Sequence, residues 1–152
     1  GQIAAGAQCV QLFDSWVGAP GPSDYREFVL PHQKNVIAGI KKTVPLIHFA
    51  HGANHLLEMV AEAGGDVIGL DWRCELDSAW KRVGHDRAVQ GNLDPVALFG
   101  SKEFIRKRTK EILDRAAGRN GHIMNLGHGI LQQTPIENAA EFINATHELS
   151  KR

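Results

Sequence analysis

Pro45-Leu-Ile-His-Phe49 opens the stretch of sequence that decides the fold. A helix-like segment follows from His55 to Ala63, and Asp66-Val-Ile-Gly-Leu70 is a second strand-like run. Strand, helix and strand in close succession predict two parallel strands joined by a right-handed crossover. The stretch therefore indicates an α/β architecture.

The same alternation continues on both sides of this stretch. Further strand-like runs are bounded by glycine or polar residues: Gln8 to Phe13, Ala88 to Gly91 and His122 to Leu126. Further helical segments are indicated from Ser23 to Ile40 with an interruption at Pro31, from Leu76 to Arg82, from Ser101 to Ala117, and after Thr134. Ser23 and Thr134 are the predicted N-caps of their helices. Five strands, each followed by a helix, predict either a doubly wound sheet or part of a (β/α) barrel.

The residues after each strand favour the barrel. Polar and small residues follow the five strands in turn: Asp14-Ser15, His51-Gly52, Asp71-Trp72-Arg73, Asn92-Leu-Asp94 and Gly127-His128-Gly129. A ring of such strand ends is where (β/α)8 TIM barrels build their active sites, and a whole barrel needs eight strands and about 250 residues. We therefore expect residues 1–152 to be one portion of a single barrel domain. Gln2-Ile-Ala-Ala-Gly6 resembles the last turn of a helix with its C-cap glycine, so we expect the sequence to begin inside an element.

Composition limits the partners. The 152 residues are 43% hydrophobic and 22% charged, and 17 Lys and Arg balance 17 Asp and Glu, so the overall charge favours neither nucleic acid nor an anionic membrane. The longest apolar runs, such as Val44 to Ala50, are far shorter than the roughly 20 residues of a membrane helix. The first residues do not resemble a signal peptide, so a cytoplasmic location is expected. Cys9 and Cys74 have no metal-type spacing and are interpreted as structural thiols.

Four of the strand-end segments are recognisable as a set. They are Phe13-Asp-Ser-Trp16, Gly69-Leu-Asp-Trp-Arg73, Gln90-Gly-Asn-Leu-Asp-Pro95 and Asn125-Leu-Gly-His-Gly-Ile130. Together, in this order, and with Tyr25-Arg-Glu-Phe-Val-Leu-Pro31 after the first strand, they resemble the uroporphyrinogen decarboxylase family. The likeness runs essentially from end to end and corresponds to the C-terminal part of that family's chain.

The resemblance implies a single-domain (β/α)8 barrel enzyme of haem biosynthesis. The family removes the carboxylates of the four acetate side chains of uroporphyrinogen III to give coproporphyrinogen III, without a metal or organic cofactor. The resemblance implies that a protonated pyrrole of the substrate is the electron sink, so the protein contributes placement and electrostatics. The family forms homodimers, and its arginine-rich segment and central aspartate precede the part of the chain seen here. Residues 1–152 alone are therefore expected not to turn over substrate.

Two substrate-binding positions of the family fall within the sequence, Ser15 and His128. Each follows a predicted strand. A serine hydroxyl can donate to a substrate carboxylate, and an imidazole can carry charge toward a carboxylate or pass a proton, so His128 is also the predicted catalytic residue. Gly127 and Gly129 are expected to let the backbone approach a bulky ligand and adopt unusual dihedral angles.

Other residues leave alternatives open. Asp71 and Arg73 are interpreted as a strand-end salt bridge rather than a catalytic pair, Asn92 and Asp94 as turn-shaping residues, and Trp16, Trp72 and Trp80 mainly as packing residues. His48, His51 and His55 suggest a metal site, but their spacing does not place them on one helical face. Zinc-dependent methyltransferases of the same superfamily carry a His-x-Cys at this strand, whereas this chain has His48-Phe49-Ala50. Such a methyltransferase, or an inactive fragment, is the alternative reading.

Overall fold

The computed structural model describes residues 1–40 and 42–151. Five strands form its sheet: β1 Val10–Asp14, β2 Leu46–Ala50, β3 Val67–Gly69, β4 Ala88–Gln90 and β5 His122–Ile123. Six α-helical segments accompany them: α1 Pro22–Asp24, α2 Leu30–Gly39, α3 Leu57–Ala63, α4 Leu76–Val83, α5 Lys102–Ala116 and α6 Ile136–Leu149. A π-helical turn over Tyr25–Val29 joins α1 to α2, and 3₁₀ turns over Asn54–Leu56 and Pro95–Phe99 precede α3 and α5.

The order of the strands distinguishes a barrel from a doubly wound sheet. All four strand pairs are parallel, and the order across the sheet is the order along the chain, β1-β2-β3-β4-β5. A doubly wound sheet reverses direction at a switch point, whereas a (β/α) barrel adds each new strand beside the preceding one. The chain thus forms part of a TIM barrel, as the strand-end residues predicted.

The two faces of the sheet are covered differently. One face packs on the helices, where Leu46, Ile68 and Val89 join a core that includes Trp80 and Ile105. Side chains alternate along each strand, so the cross-strand row Phe13, Phe49, Gly69, Gln90 and Ile123 lies on the opposite, concave face. Phe13 and Ile123 are 66% and 42% exposed there. The helix-facing side is therefore the main core, and the concave face leads up to the strand ends.

Both predicted N-caps are wrong. Gly21 occupies the N-cap of α1 and Pro22 its first position, which moves Ser23 inside the helix. Pro135 occupies the N-cap of α6, which has no side-chain cap, and Thr134 instead lies one residue outside the helix. Helix α1 therefore begins two residues earlier than predicted, with Pro22 at its first position, whereas α6 begins one residue later, with Pro135 as the N-cap.

Two other elements differ from the prediction. β5 is a two-residue strand rather than the predicted His122 to Leu126, although Leu126 still forms a bridge with Leu93 of the neighbouring loop. Residues 2–6 form a turn rather than a helix. Gly6 nevertheless has the positive φ of a helix C-cap, 101°, and the N–H of Ala7 donates to Gln2 O at 3.1 Å.

Candidate active site at the carboxyl ends of the strands

The structure brings the two predicted site residues to the same rim of the sheet. Ser15 directly follows β1, and His128 lies in the loop between β5 and α6; both are exposed. His51, which follows β2, lies between them. Its Nδ1 is 3.4 Å from Ser15 O, and its ring centroid is 4.7 Å from that of His128. His51 therefore connects the loop after β1 with the loop after β5, the two edge strands of the sheet.

Further rings extend this contact into a continuous surface, which we call the rim cluster: Phe49, His51, Trp72, Arg73 and His128. The His128 ring lies 6.1 Å from that of Trp72 and 6.4 Å from that of Phe49. The Arg73 guanidinium is 4.0 Å from the Trp72 ring centroid, within cation–π range. The rim cluster thus combines aromatic rings set at angles to one another with the Arg73 cation.

Asp71 holds the loops that carry this cluster. Its carboxylate is buried, 2% exposed, and it accepts hydrogen bonds from Gly52 N at 2.7 Å, Arg73 N at 2.8 Å and Asn54 Nδ2 at 3.2 Å. Arg73 Nη1 also donates to it at 3.3 Å, which confirms the predicted strand-end salt bridge. A buried carboxylate is stabilised only when such donors surround it. Asp71 therefore fixes the loop after β2 relative to the loop after β3.

The next loop is joined by Asn92. Its Nδ2 donates to Asp71 O at 3.0 Å and to Cys74 O at 2.8 Å. Asn92 therefore stabilises the loop after β3, and the prediction that it shapes its own turn was wrong. The prediction for Asp94 is confirmed, because its carboxylate accepts from Val96 N at 2.9 Å. An amide with two donors reaches two carbonyls on one loop, which the local sequence did not reveal.

The loop that carries His128 packs on the loop after β4, at Leu93, and on the loop after β3, at Trp72. Gly127 N donates to Leu93 O at 2.7 Å, and a Cβ at Gly127 would lie 2.4 Å from Trp72 N. Gly127 and Gly129 do not have positive φ angles, and a Cβ at Gly129 would meet open space. The expectation of unusual dihedrals was therefore wrong; Gly127 is required for close approach to another loop.

A buried polar chain supports the β1 end. Tyr25 Oη donates to Gln33 Oε1, and Gln33 Nε2 donates to Asp14 Oδ2, the residue that precedes Ser15. Burial, and then the Asp14 carboxylate, raises the pKa of Tyr25 to about 12, so this phenol remains a donor near neutral pH. Ser15 therefore follows a residue anchored to α2 and to the turn before it.

The three clustered histidines have different partners. His48 is buried on the helix-facing side of β2 with Nδ1 3.1 Å from Gly64 O, whereas His55 Nε2 lies 3.1 Å from Pro20 O. His51 belongs to the rim cluster. Over residues 1–40 and 42–151, the His, Cys, Asp and Glu side chains form no group of three or more that could hold a metal ion. Burial lowers the pKa of His48, as expected for an imidazole in a core.

The tryptophans have different environments. Trp80 is 1% exposed and packs in the core, as predicted, with its indole N–H donating to Arg87 O at 2.8 Å. Trp16 is 89% exposed and does not serve as a packing residue within the described chain. Trp72 belongs to the rim cluster.

A separate cavity of about 690 Å³ lies at the amino ends of the strands, where Pro45 and Asp66 line it. In barrels that end serves stability rather than chemistry.

Sequence analysis named His51 only as a strand-end residue and a possible metal ligand, and it interpreted Arg73 as half of a salt bridge. A usable signal existed for both, because side chains two residues apart share one face of a strand. Counting on from Phe49 places His51 on the concave face, and counting on from Gly69 places Asp71 and Arg73 there.

The chain has its polar groups at the carboxyl ends of the parallel strands of a (β/α) barrel. Barrel enzymes build their active sites there, so the fold and the site indicate this class of protein. Residues 1–149 match the family described as Uroporphyrinogen decarboxylase (URO-D), and the chain belongs to this family. Named uroporphyrinogen decarboxylases are similar over nearly the whole chain. The one from Carboxydothermus hydrogenoformans is 63% identical over 98% of this chain and 43% of its own length, and that from Sorangium cellulosum is 50% identical over 99% and 43%. The one from Geobacter metallireducens is 50% identical over 99% and 45%.

The chain thus spans less than half the length of these relatives. Among solved structures, a methyltransferase from Methanosarcina mazei superposes with a TM-score of 0.85 over 98% of this chain and 44% of its own. At 20% identity this likeness shows the fold alone. Among the described helices there is none with the length and apolarity needed to span a membrane.

Proposed function

We propose that the protein containing this chain decarboxylates the four acetate side chains of uroporphyrinogen III to give coproporphyrinogen III. The observation that carries the proposal is the meeting of Ser15 and His128, through His51, at one rim of a sheet whose sequence belongs to the uroporphyrinogen decarboxylase family. The rings of the rim cluster can pack against the pyrrole rings of the substrate, and the polar groups around them suit its carboxylates.

Ser15 and His128 have distinct proposed roles. The exposed Ser15 hydroxyl donates a hydrogen bond to a carboxylate of the substrate. His128, also exposed, binds the substrate and hands a proton to the carbon from which carbon dioxide has left, since an imidazole exchanges protons near neutral pH. The chemistry requires no metal or organic cofactor in this proposal, because the pyrrole of the substrate accepts the electrons.

The rest of the barrel, the cellular location and the oligomeric state are also proposed from the family. The five βα units are the C-terminal portion of one eight-stranded barrel, and the remaining units supply further carboxylate-binding groups. The enzyme is cytoplasmic and a homodimer, and residues 1–152 alone do not turn over substrate. Size-exclusion chromatography with light scattering of the full-length protein tests the dimer, and a monomer at micromolar concentration would contradict it.

The decisive experiment for the assigned residues compares the full-length protein with its Ser15→Ala, His128→Ala and His147→Ala variants. Enzymatically generated uroporphyrinogen is the substrate, and the oxidised porphyrins are separated and quantified by fluorescence. Loss of a proton-transferring group costs on the order of 100-fold or more in kcat, so His128→Ala should fall by at least that factor. His147 is exposed on α6 and serves as the matched control. Equal activity in all four proteins would refute the assignment.

The alternative, a zinc-dependent methyltransferase of corrinoids or thiols, has less support. His48, which starts the segment corresponding to the His-x-Cys of those enzymes, is buried on the helix side and paired with Gly64 O. Stoichiometric zinc in the purified full-length protein, lost on replacing His48 or His51, would favour the methyltransferase.

A further inference from the structure

We propose that Arg73 binds a carboxylate of the substrate. The inference rests on the proposed function, because it assumes a substrate that carries several carboxylates. It assigns a substrate-binding role to a side chain that the sequence analysis interpreted only as half of a strand-end salt bridge.

The first support is the position of the guanidinium. Arg73 Nη1 lies 3.0 Å from His51 Nε2, and His51 in turn contacts both Ser15 and His128. The cation therefore lies beside the two residues proposed to hold the substrate. Its side chain is 46% exposed, so a ligand at the rim can reach it.

The second support is that the guanidinium is held in place from two sides. The Trp72 ring covers one face at 4.0 Å, and the buried Asp71 carboxylate accepts from Nη1 at 3.3 Å. An arginine fixed in this way loses less conformational entropy when it binds an anion than a free one does. Within residues 1–40 and 42–151, the hydrogen bonds formed by its guanidinium all use Nη1, which leaves Nη2 and Nε for a ligand. A guanidinium edge binds a carboxylate with two parallel hydrogen bonds.

The third support is the state of His51. A guanidinium can only donate, so Nε2 of His51 is the acceptor and Nδ1 carries the proton that faces Ser15 O. The imidazole therefore accepts from Nη1 of Arg73 and does not use Nη2 or Nε. His51 acts as a positioning residue that holds Arg73 beside Ser15 and His128.

The test uses the full-length enzyme and the variants Arg73→Gln, Arg73→Lys and Arg82→Gln. Arg82 is the matched control, because it pairs with Glu58 on the helical surface at 2.6 Å. A hydrogen-bonded charged contact corresponds to roughly 10- to 100-fold in affinity, so Arg73→Gln should raise KM by that factor while kcat changes less. Arg73→Lys keeps the charge without the two-pronged edge and should give an intermediate KM.

Thermal unfolding of each variant separates binding from folding. A raised KM in Arg73→Gln with an unchanged Tm supports the proposal, and a KM within about twofold of the wild type overturns it. Should Arg73→Gln be unfolded at the assay temperature, the KM of Arg73→Lys decides in the same way. Decarboxylation absent from the wild-type protein would instead refute the proposed function, so the two failures are distinguishable.

Discussion

Replacing Asp71 by Ala should destabilise the protein strongly. The substitution removes the acceptor of two backbone donors, Gly52 N and Arg73 N, at a position that is 2% exposed. A fully buried donor left without a partner costs about 1–3 kcal/mol; because both of these hydrogen bonds are part-buried, the two together should cost about 2–3 kcal/mol. The Arg73 guanidinium adds little to this sum, because it is exposed enough to be solvated.

Urea unfolding followed by tryptophan fluorescence measures this loss on the full-length protein. Asp114→Ala is the matched control, because Asp114 forms an exposed i,i+4 pair with Lys110 at 2.7 Å. Such pairs contribute about 0.3–0.5 kcal/mol. A free energy of unfolding for Asp71→Ala within about 1 kcal/mol of the wild type would show that water replaces the lost acceptor and that Asp71 does not hold the rim together.

Three further predictions concern single side chains. Gly127→Ala should lower kcat/KM, because the new Cβ would lie 2.4 Å from Trp72 N in the loop after β3. Gly129→Ala should have a kcat/KM near that of the wild type, because a Cβ there meets open space. Equal kinetics in the two variants would contradict this prediction. The free energy of unfolding should fall as the pH drops below about 6.5, because burial lowers the folded-state pKa of His48 and the unfolded chain binds its proton first. A His48→Gln variant should show a flatter dependence in urea titrations between pH 5 and 7.5, and an unchanged slope would refute the assignment. Burial raises the pKa of Cys74 to about 12, so a thiol reagent at neutral pH should label the exposed Cys9 first; faster labelling of Cys74 would be the opposite of what we expect.

Much of the fold was predictable because the local signals and the tertiary structure agree. β2 and β3 are short apolar runs bounded by turn residues, and their observed bounds differ from the predicted ones by a residue or so. The choice of a barrel followed from polar residues after every strand, of which Asp71-Trp72-Arg73 is the clearest example. The cap at Ser23 was wrong because Pro22 takes the first position of α1, and the cap at Thr134 was wrong because α6 begins one residue later than the preference of Pro135 for the first helical position predicts.

The site was only partly predictable. Ser15 and His128 were named through the family resemblance, and the structure places them at one rim. The contacts between loops were not predictable, because Asp71, Asn92 and Gly127 make them with residues about 20 to 55 positions away in the sequence. Local pattern reasoning assigned Asn92 to its own turn, since short polar side chains usually bond nearby backbone.

The most direct test of the account is product analysis with the full-length wild-type protein. Purified protein is incubated with enzymatically generated uroporphyrinogen III in the absence of added metal or cofactor, and the oxidised products are identified by mass and fluorescence. The account predicts successive loss of four carboxyl groups and accumulation of coproporphyrin. Unchanged uroporphyrin, with folded protein and a substrate that a known uroporphyrinogen decarboxylase converts, would contradict it.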